Sequence, residues 1–191
     1  FVLGGNSMGG GISWRYALAH PGKVQALVLM DAAGMPPRAG DKPPASNIGF
    51  RMLRNPVGRW LGGRITPRAL VEKSLRGSVI NQAIVTEPMI DRYWELLRFP
   101  GNRKAVMDRT IAPKEPDIAD RAGEIAVPTL ILFGKDDAII NASAATTFNE
   151  RIGGSEVVLL DNIGHLPMEE APDATARAID DFLARRLALA Q

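Results

Sequence analysis

Phe1-Val2-Leu3-Gly4-Gly5-Asn6-Ser7-Met8-Gly9-Gly10 carries a Gly-x-Ser-x-Gly pentapeptide, Gly5 to Gly9. It lies between what reads as the end of a buried strand, Phe1-Val2-Leu3, and a helical stretch reaching Tyr16-Ala17-Leu18-Ala19. Strand, tight turn and helix is the context in which this pattern works as a nucleophile elbow, presenting a serine hydroxyl at the sheet edge. A serine in such a turn is held in a strained backbone conformation, so Gly5 and Gly9, two residues either side of Ser7, are read as neighbours small enough to avoid clashes. The helix begins just after Ser7, which turns its partly positive N-terminus toward the hydroxyl and leaves the backbone N–H of Met8 free to donate to an oxyanion. A phosphate-binding glycine loop is the competing reading. It needs G-x-x-x-x-G-K-[ST] or G-x-G-x-x-G, and neither is present, since Gly10 follows Gly9.

Outward from the elbow, Pro21-Gly22 ends the helix, and Val24 to Met30 is a near-continuous apolar run, as expected of a parallel strand covered on both faces. The stretch 1–35 is thus one strand–helix–strand unit. Residues 36–115 read differently. Pro36, Pro37, Pro43 and Pro44 make an irregular start, and helical stretches follow without a strand pattern. Thr66-Pro67 suggests a helix start with Thr66 as N-cap, and Leu70, Val71 and Leu75 then recur at helical spacing. Thr86-Glu87-Pro88 opens another helix with Met89, Ile90, Tyr93, Trp94 and Leu97 on one side. Pro100-Gly101 stops it, and Asn102 to Ile111 reads as helical again. Residues 116–191 return to alternation: a strand from Val127 to Gly134, a helix from Ala142 to Arg151, a strand from Glu156 to Leu160, and a helix from Pro172 to Ala188. That last helix is expected to turn Ala176, Ile179, Phe182, Leu183 and Leu187 to the core. The expectation is an α/β fold, a mostly parallel sheet with flanking helices, divided into core 1–35, an all-helical insert 36–115 and core 116–191.

Two turns in the last part carry chemistry. Gly134-Lys135-Asp136-Asp137 follows one strand and Asn162-Ile163-Gly164-His165 follows the next. Open α/β sheets place their sites at the carboxyl ends of their strands, so Ser7, an aspartate and His165 arrive at one edge in the chain order Ser, Asp, His. A serine hydroxyl is a weak nucleophile and needs a base in hydrogen-bond reach; a histidine can take its proton and return it to a leaving group, and a carboxylate behind the ring fixes the tautomer. Of the two histidines, His20 lies at a helix end before Pro21 and reads as capping or solvated, leaving His165 as the base. The acid stays open between Asp136, Asp137 and Asp31, which also follows a strand; Asp161 reads as support for the turn before His165.

The chain has 191 residues, 46% hydrophobic and 23% charged, enough for one core and a small insert. No window approaches 18 consecutive apolar residues, so stable membrane insertion is not expected. The absence of Cys excludes disulfides, thiolate catalysis and Cys-ligated zinc for this segment; it suits a reducing compartment, and a cytoplasmic location is the expectation. With two distant histidines a metal site has few ligands. Net charge is +2, unevenly spread: residues 36–115 hold 15 Lys/Arg and 7 Asp/Glu, the remainder 8 and 14. The basic middle fits attraction of an anionic substrate or a membrane surface, or simply a solvated arginine-rich surface. Trp60, Tyr93, Trp94 and Phe99 either line an acyl pocket or pack the insert against the core. No nucleic-acid motif is present.

GNSMGG at 5–10, LVLMDAAG at 27–34, PTLILFGKDDAII at 128–140 and NIGHLPMEEAPD at 162–173 together resemble the C-terminal two-thirds of an α/β-hydrolase fold enzyme with a helical cap. The resemblance implies that Asp137, third after the strand-ending glycine, is the acid, that 36–115 is the cap, and that no cofactor or metal takes part. It implies attack on a carbonyl through an acyl-enzyme, most simply by a carboxylesterase-like enzyme on a small ester or related acyl substrate. The elbow also resembles C–C bond hydrolases of ring-fission dienoates, although those usually carry an aromatic residue where Leu166 follows the histidine. A binding module of the same fold is the reading from another class. Phe1 lies three residues before the elbow glycines, so the segment looks like the later part of a longer protein. Early strands and a loop with the second oxyanion donor, on the order of 100 residues, are expected ahead of it. The segment alone is then expected to be weakly stable and barely active.

Overall fold

The computed structural model describes residues 1–41, 55–112 and 117–188. Pro43 and Pro44 of the irregular stretch lie outside the described residues. The chain divides into two compact units, Phe1–Pro44 with Asp117–Gln191, and Ala45–Pro116.

The first unit is built on four parallel strands: β1 (Val2–Asn6), β2 (Ala26–Met30), β3 (Thr129–Gly134) and β4 (Glu156–Leu160), in that order across the sheet. Gly5 pairs with Leu29, Leu29 with Ile131, and Ile131 with Val157. Successive side chains of a strand point to opposite faces, and both faces here are apolar. Leu27, Leu29, Ile131 and Phe133 face one way and pack with Trp14 and Ala17 of α1 (Met8–Ala19) and with Ala145 and Phe148 of the helix Ser143–Arg151. Ala26, Val28 and Leu130 face the other way against Phe182, Ile179 and Leu183 of the long helix Pro172–Ala188. Every residue of β3 is buried. Each large apolar side chain so covered contributes about 1.5–3 kcal/mol, and the two central strands concentrate that term.

The edges depart from expectation. Phe1 and Val2 are 57% and 38% exposed. Among the described residues β1 has a partner on one side only, and an edge strand keeps part of its surface in solvent. On β4, Val157 and Leu159 are exposed while Glu156 is held by Arg185 and Arg186, both at 2.7 Å. The apolar run from Val24 enters the sheet only at Ala26, although Val24 itself is buried in the core. In the C-terminal helix Ala176 is exposed and Thr175 takes the inward position, its hydroxyl donating to the carbonyl of Pro167 at 2.9 Å. A pattern read on apolar letters alone passes over a threonine that satisfies its own hydroxyl.

In the second unit the described elements are helical. In chain order after α1 they are α2 (Pro56–Gly62), α3 (Arg68–Arg76), α4 (Glu87–Arg98) and α5 (Asn102–Ile111). Thr86 caps α4, accepting from the Met89 N–H at 3.4 Å, and Met89 and Ile90 are buried. Thr66 does not cap α3. Pro67 occupies the N-cap position with extended backbone, and Thr66 instead accepts from Arg103 Nε at 3.0 Å and from Trp94 Nε1 at 2.7 Å, tying the start of α3 to α4 and α5. The helices of the first unit complete the numbering as α6 (Ser143–Arg151), α7 (Pro167–Glu170) and α8 (Pro172–Ala188).

Candidate active site

Ser7 stands between β1 and α1 at φ 55°, ψ −119°, a region that L-residues rarely occupy. Three backbone hydrogen bonds hold it there. Its N–H donates to Met30 at 3.0 Å, and its carbonyl accepts from Gly11 at 3.0 Å and Ala33 at 2.9 Å. The strain is therefore imposed jointly by the end of β2, the loop after it and the first turn of α1. Ser7 is also the N-cap of α1, yet its hydroxyl makes no capping bond. Met8 opens the helix, so its N–H is one of the first-turn amides with no acceptor inside the helix.

The glycines around Ser7 are not equivalent. A Cβ on Gly5 would overlap the backbone of Gly9 and Gly10, and one on Gly10 would lie 2.5 Å from the Ala32 Cβ, whereas one on Gly9 meets nothing within 4 Å. The expectation that both glycines of the pentapeptide are sterically required holds for Gly5 and not for Gly9. The helix crosses the strand at Gly5 and Gly10, and Gly9 lies off that crossing.

At the far side of the sheet the loops after β3 and β4 are joined. Lys135 N–H donates to Leu160 at 2.9 Å and Asp136 N–H to Ile163 at 3.0 Å. Asp136 Oδ2 accepts from Asn162 N–H at 3.1 Å, and Lys135 pairs with Asp161 at 2.5 Å. A Cβ on Gly134 would overlap the backbone of Ile163 and Gly164, which explains the glycine at the strand end. Asp136 is thus turned to the loop, and Asp137 is the aspartate against the ring. Its Oδ1 accepts from the N–H groups of Ile139 at 2.7 Å and Ile140 at 3.0 Å, and its Oδ2 lies 2.7 Å from His165 Nδ1. Both side chains are buried, Asp137 completely. With Nδ1 engaged, Nε2 is the ring nitrogen left to exchange a proton.

Two residues, Asn6 and Glu170, escaped the sequence reading, and a third, Asp31, was read there only as a candidate acid. Asn6, the residue before Ser7, donates from its side chain to the carbonyls of His165 at 3.0 Å and Met30 at 3.3 Å. Glu170 on α7 accepts from Gly164 N–H at 2.8 Å. Asp31, fully buried with φ 42°, accepts at Oδ1 from Gly134 N–H at 3.0 Å. Burial, reinforced by the like charge of Asp137, pushes the Asp31 carboxyl up to about 9. Only Asp31 gave a sequence signal, its place after a strand.

Asp31, Asp137 and His165 each present one atom of metal-ligand type within 4.8 Å of the others. The 2.7 Å separation of His165 and Asp137 is that of a shared proton and is too short for both atoms to ligate one ion at about 2 Å each in tetrahedral geometry.

The remaining candidates lie elsewhere. His20 is exposed at the end of α1, its ring 4.4 Å from that of Tyr16. Trp60 and Phe99 are largely exposed, and Trp94 is capped by Arg98 at 4.0 Å. Tyr93 lines a cavity of about 290 Å³ between α4 and α5, with Leu96, Leu97, Asn102, Ala105 and Val106. Among the described residues no helix is long and apolar enough to cross a membrane.

A model of the α/β-hydrolase fold matches residues 1–172. Lipase 1 of Psychrobacter immobilis is 28% identical over 197 residues, covering 91% of this chain and 52% of the relative. Monoacylglycerol lipase ABHD6 of Homo sapiens is 28% identical over 195 residues, covering 96% of this chain and 55% of the relative. Among solved structures, a membrane phospholipase A described as a bacterial virulence factor superposes with a TM-score of 0.76 at 26% identity, over 96% of this chain and 56% of that one. The chain spans about half the length of the curated relatives it matches.

Proposed function

Because the chain belongs to the α/β-hydrolase fold family, we propose that it supplies the nucleophile, acid and base of a serine hydrolase that cleaves carboxylic esters through an acyl-enzyme. The observation that carries this reading is the buried pair of His165 Nδ1 and Asp137 Oδ2 at 2.7 Å, joined through Asn6 to the strained turn that bears Ser7. Ser7 attacks the ester carbonyl while His165 takes its proton. Asp137 keeps the ring in the tautomer with a proton on Nδ1 and stabilises the imidazolium. The Met8 N–H, at the N-terminus of α1, donates to the oxyanion. His165 then returns the proton to the leaving alcohol, and water repeats the sequence on the acyl group.

The relatives named as lipases support an ester of a lipid or similarly apolar acyl group as the substrate. We read the second unit as the cap of this fold. No metal or cofactor has a step in this scheme. The test is covalent labelling of the full-length protein by a fluorophosphonate, read by mass spectrometry, with p-nitrophenyl esters of rising chain length assayed in parallel. Modification at Ser7, its loss in Ser7→Ala, and ester turnover are expected. A folded protein that neither labels nor turns over an ester would make this a binding module of the fold.

A further inference from the structure

We propose that Asp31 is a positioning residue of this site, a neutral carboxyl that anchors the strand end delivering Asp137 and leaves the single negative charge of the cluster on Asp137. The inference rests on the reading of Ser7, Asp137 and His165 as the catalytic set.

The geometry divides the two carboxyls sharply. Asp137 accepts from the amides of Ile139 and Ile140 and from the ring of His165. Asp31 accepts from one amide, that of Gly134, and its buried Oδ2 receives no hydrogen bond from any donor. One atom from each carboxyl and one from the ring lie within 4.8 Å of each other. Two carboxylates that close in a dry site do not both ionise, and the charge settles where donors are more numerous. The groups acting on Asp31 are Asp137 after β3, His165 after β4 and Glu170 on α7; both carboxylates oppose its ionisation. Its raised pKa agrees: burial comes first, and Asp137 adds to it both as a like charge and as an acceptor for the proton of the neutral carboxyl.

The anchoring is equally direct. Gly134 is the last residue of β3 and lies three residues before Asp137. The bond from its N–H to Asp31 Oδ1 fixes the end of β3 to the end of β2, at the point where the loop toward His165 departs. Ionisation of Asp31 would set two negative charges against each other beneath the ring and loosen that point.

Asp31→Asn keeps an acceptor for Gly134 and cannot ionise; Asp31→Leu keeps the branched shape in a larger side chain and strands the amide. Ester hydrolysis is followed from about pH 6 to about pH 10 in both variants and the wild-type protein, with the Ser7→Ala rate subtracted. Asp31→Asn is expected to keep kcat within about threefold near neutral pH and to move the alkaline fall upward by about one pH unit or more, while Asp31→Leu loses about tenfold or more in kcat with KM little changed. An alkaline fall unmoved in Asp31→Asn overturns the proposal, as does an Asp31→Asn as impaired near neutral pH as Asp31→Leu. Carboxyl 13C NMR of Asp-labelled wild-type protein reads the same proton without any activity. The signal lost in Asp31→Asn is expected at the protonated shift at neutral pH, and an ionised shift there overturns the proposal. A wild type that fails to label at Ser7 sinks the hydrolase reading instead, and the NMR result separates the two failures.

Discussion

The side-chain amide of Asn6 bridges the carbonyls of His165, 3.0 Å away, and Met30, 3.3 Å away. The residue before Ser7 thereby holds the backbone of His165, the base of the proposed mechanism, 159 positions later in the chain. Removing the amide takes the donor from the His165 carbonyl, at about 1–3 kcal/mol, while the Met30 carbonyl still accepts from Ser7 N–H. Asn6→Ala is expected to lower unfolding free energy by that amount in urea titration. It is also expected to slow Ser7 labelling by about tenfold, since small displacements of reacting groups are expensive in rate. Unchanged labelling with reduced stability would confine Asn6 to a structural role.

The three elbow glycines separate cleanly by substitution. Gly9→Ala has open space around its Cβ and removes a glycine from α1, so it is expected to fold at least as well as wild type, with a gain of up to about 1 kcal/mol. Gly5→Ala and Gly10→Ala place a Cβ against Gly9 backbone and against Ala32, and are expected to yield insoluble protein or a thermal midpoint lower by at least about 10 °C. Thermal melts of the three variants decide this, and a Gly9→Ala as damaged as Gly5→Ala would contradict the crossing geometry.

How the sequence foreshadowed this arrangement depends on the range of each interaction. The elbow, the central strands β2 and β3 and helix α5 were legible because their signals are local: apolar runs, Pro-Gly stops and glycine spacing. The turn holding Asp136 and Asp137 was placed among the candidates because it follows a strand, a local signal, and only the family resemblance singled out Asp137. Asn6, Glu170 and the anchoring by Asp31 were not legible, because each acts on a residue from another segment: His165, Gly164 and Gly134. Thr66 misled for the same reason. A Thr-Pro pair looks like a helix start in isolation, and its hydroxyl was claimed by Arg103, which lies 37 residues away.

Asp31 also sets a pH dependence of stability, and its sign is opposite to that of a salt-bridged acid. Its folded pKa of about 9 lies above its ordinary value of 3.8, so between those limits the folded state binds a proton that the unfolded state has released. Stability is then lost as pH rises through that window, by about 1.4 kcal/mol per pH unit at most, and the loss levels off above about 9. Asp31→Asn removes the titration. The variant is expected to gain on the wild type progressively from about pH 5 to about pH 8 in urea titrations, and a constant difference across that range would contradict the buried neutral carboxyl.

Asp136 and Asp137 are adjacent in sequence and opposite in consequence. Asp136 accepts from Asn162 N–H at the loop surface, and an asparagine carbonyl can do the same, so Asp136→Asn is expected to keep activity within about twofold. Asp137→Asn preserves an acceptor for Ile139 and Ile140 but turns an NH₂ group toward Nδ1. The ring then accepts at Nδ1 and carries its proton on Nε2, the tautomer that cannot take a proton from Ser7. The expected outcome is a fall in kcat of about a thousandfold or more with the thermal midpoint nearly unchanged, because the fold keeps its hydrogen bonds and only the base is disabled. Asp31, freed from its charged neighbour, would ionise more readily in that variant. Adding Asp31→Asn to Asp137→Asn therefore tests whether residual turnover comes from Asp31: a further fall assigns it there, and no change leaves it to the oxyanion donor and binding. An Asp137→Asn variant with near-normal kcat would remove Asp137 from the mechanism.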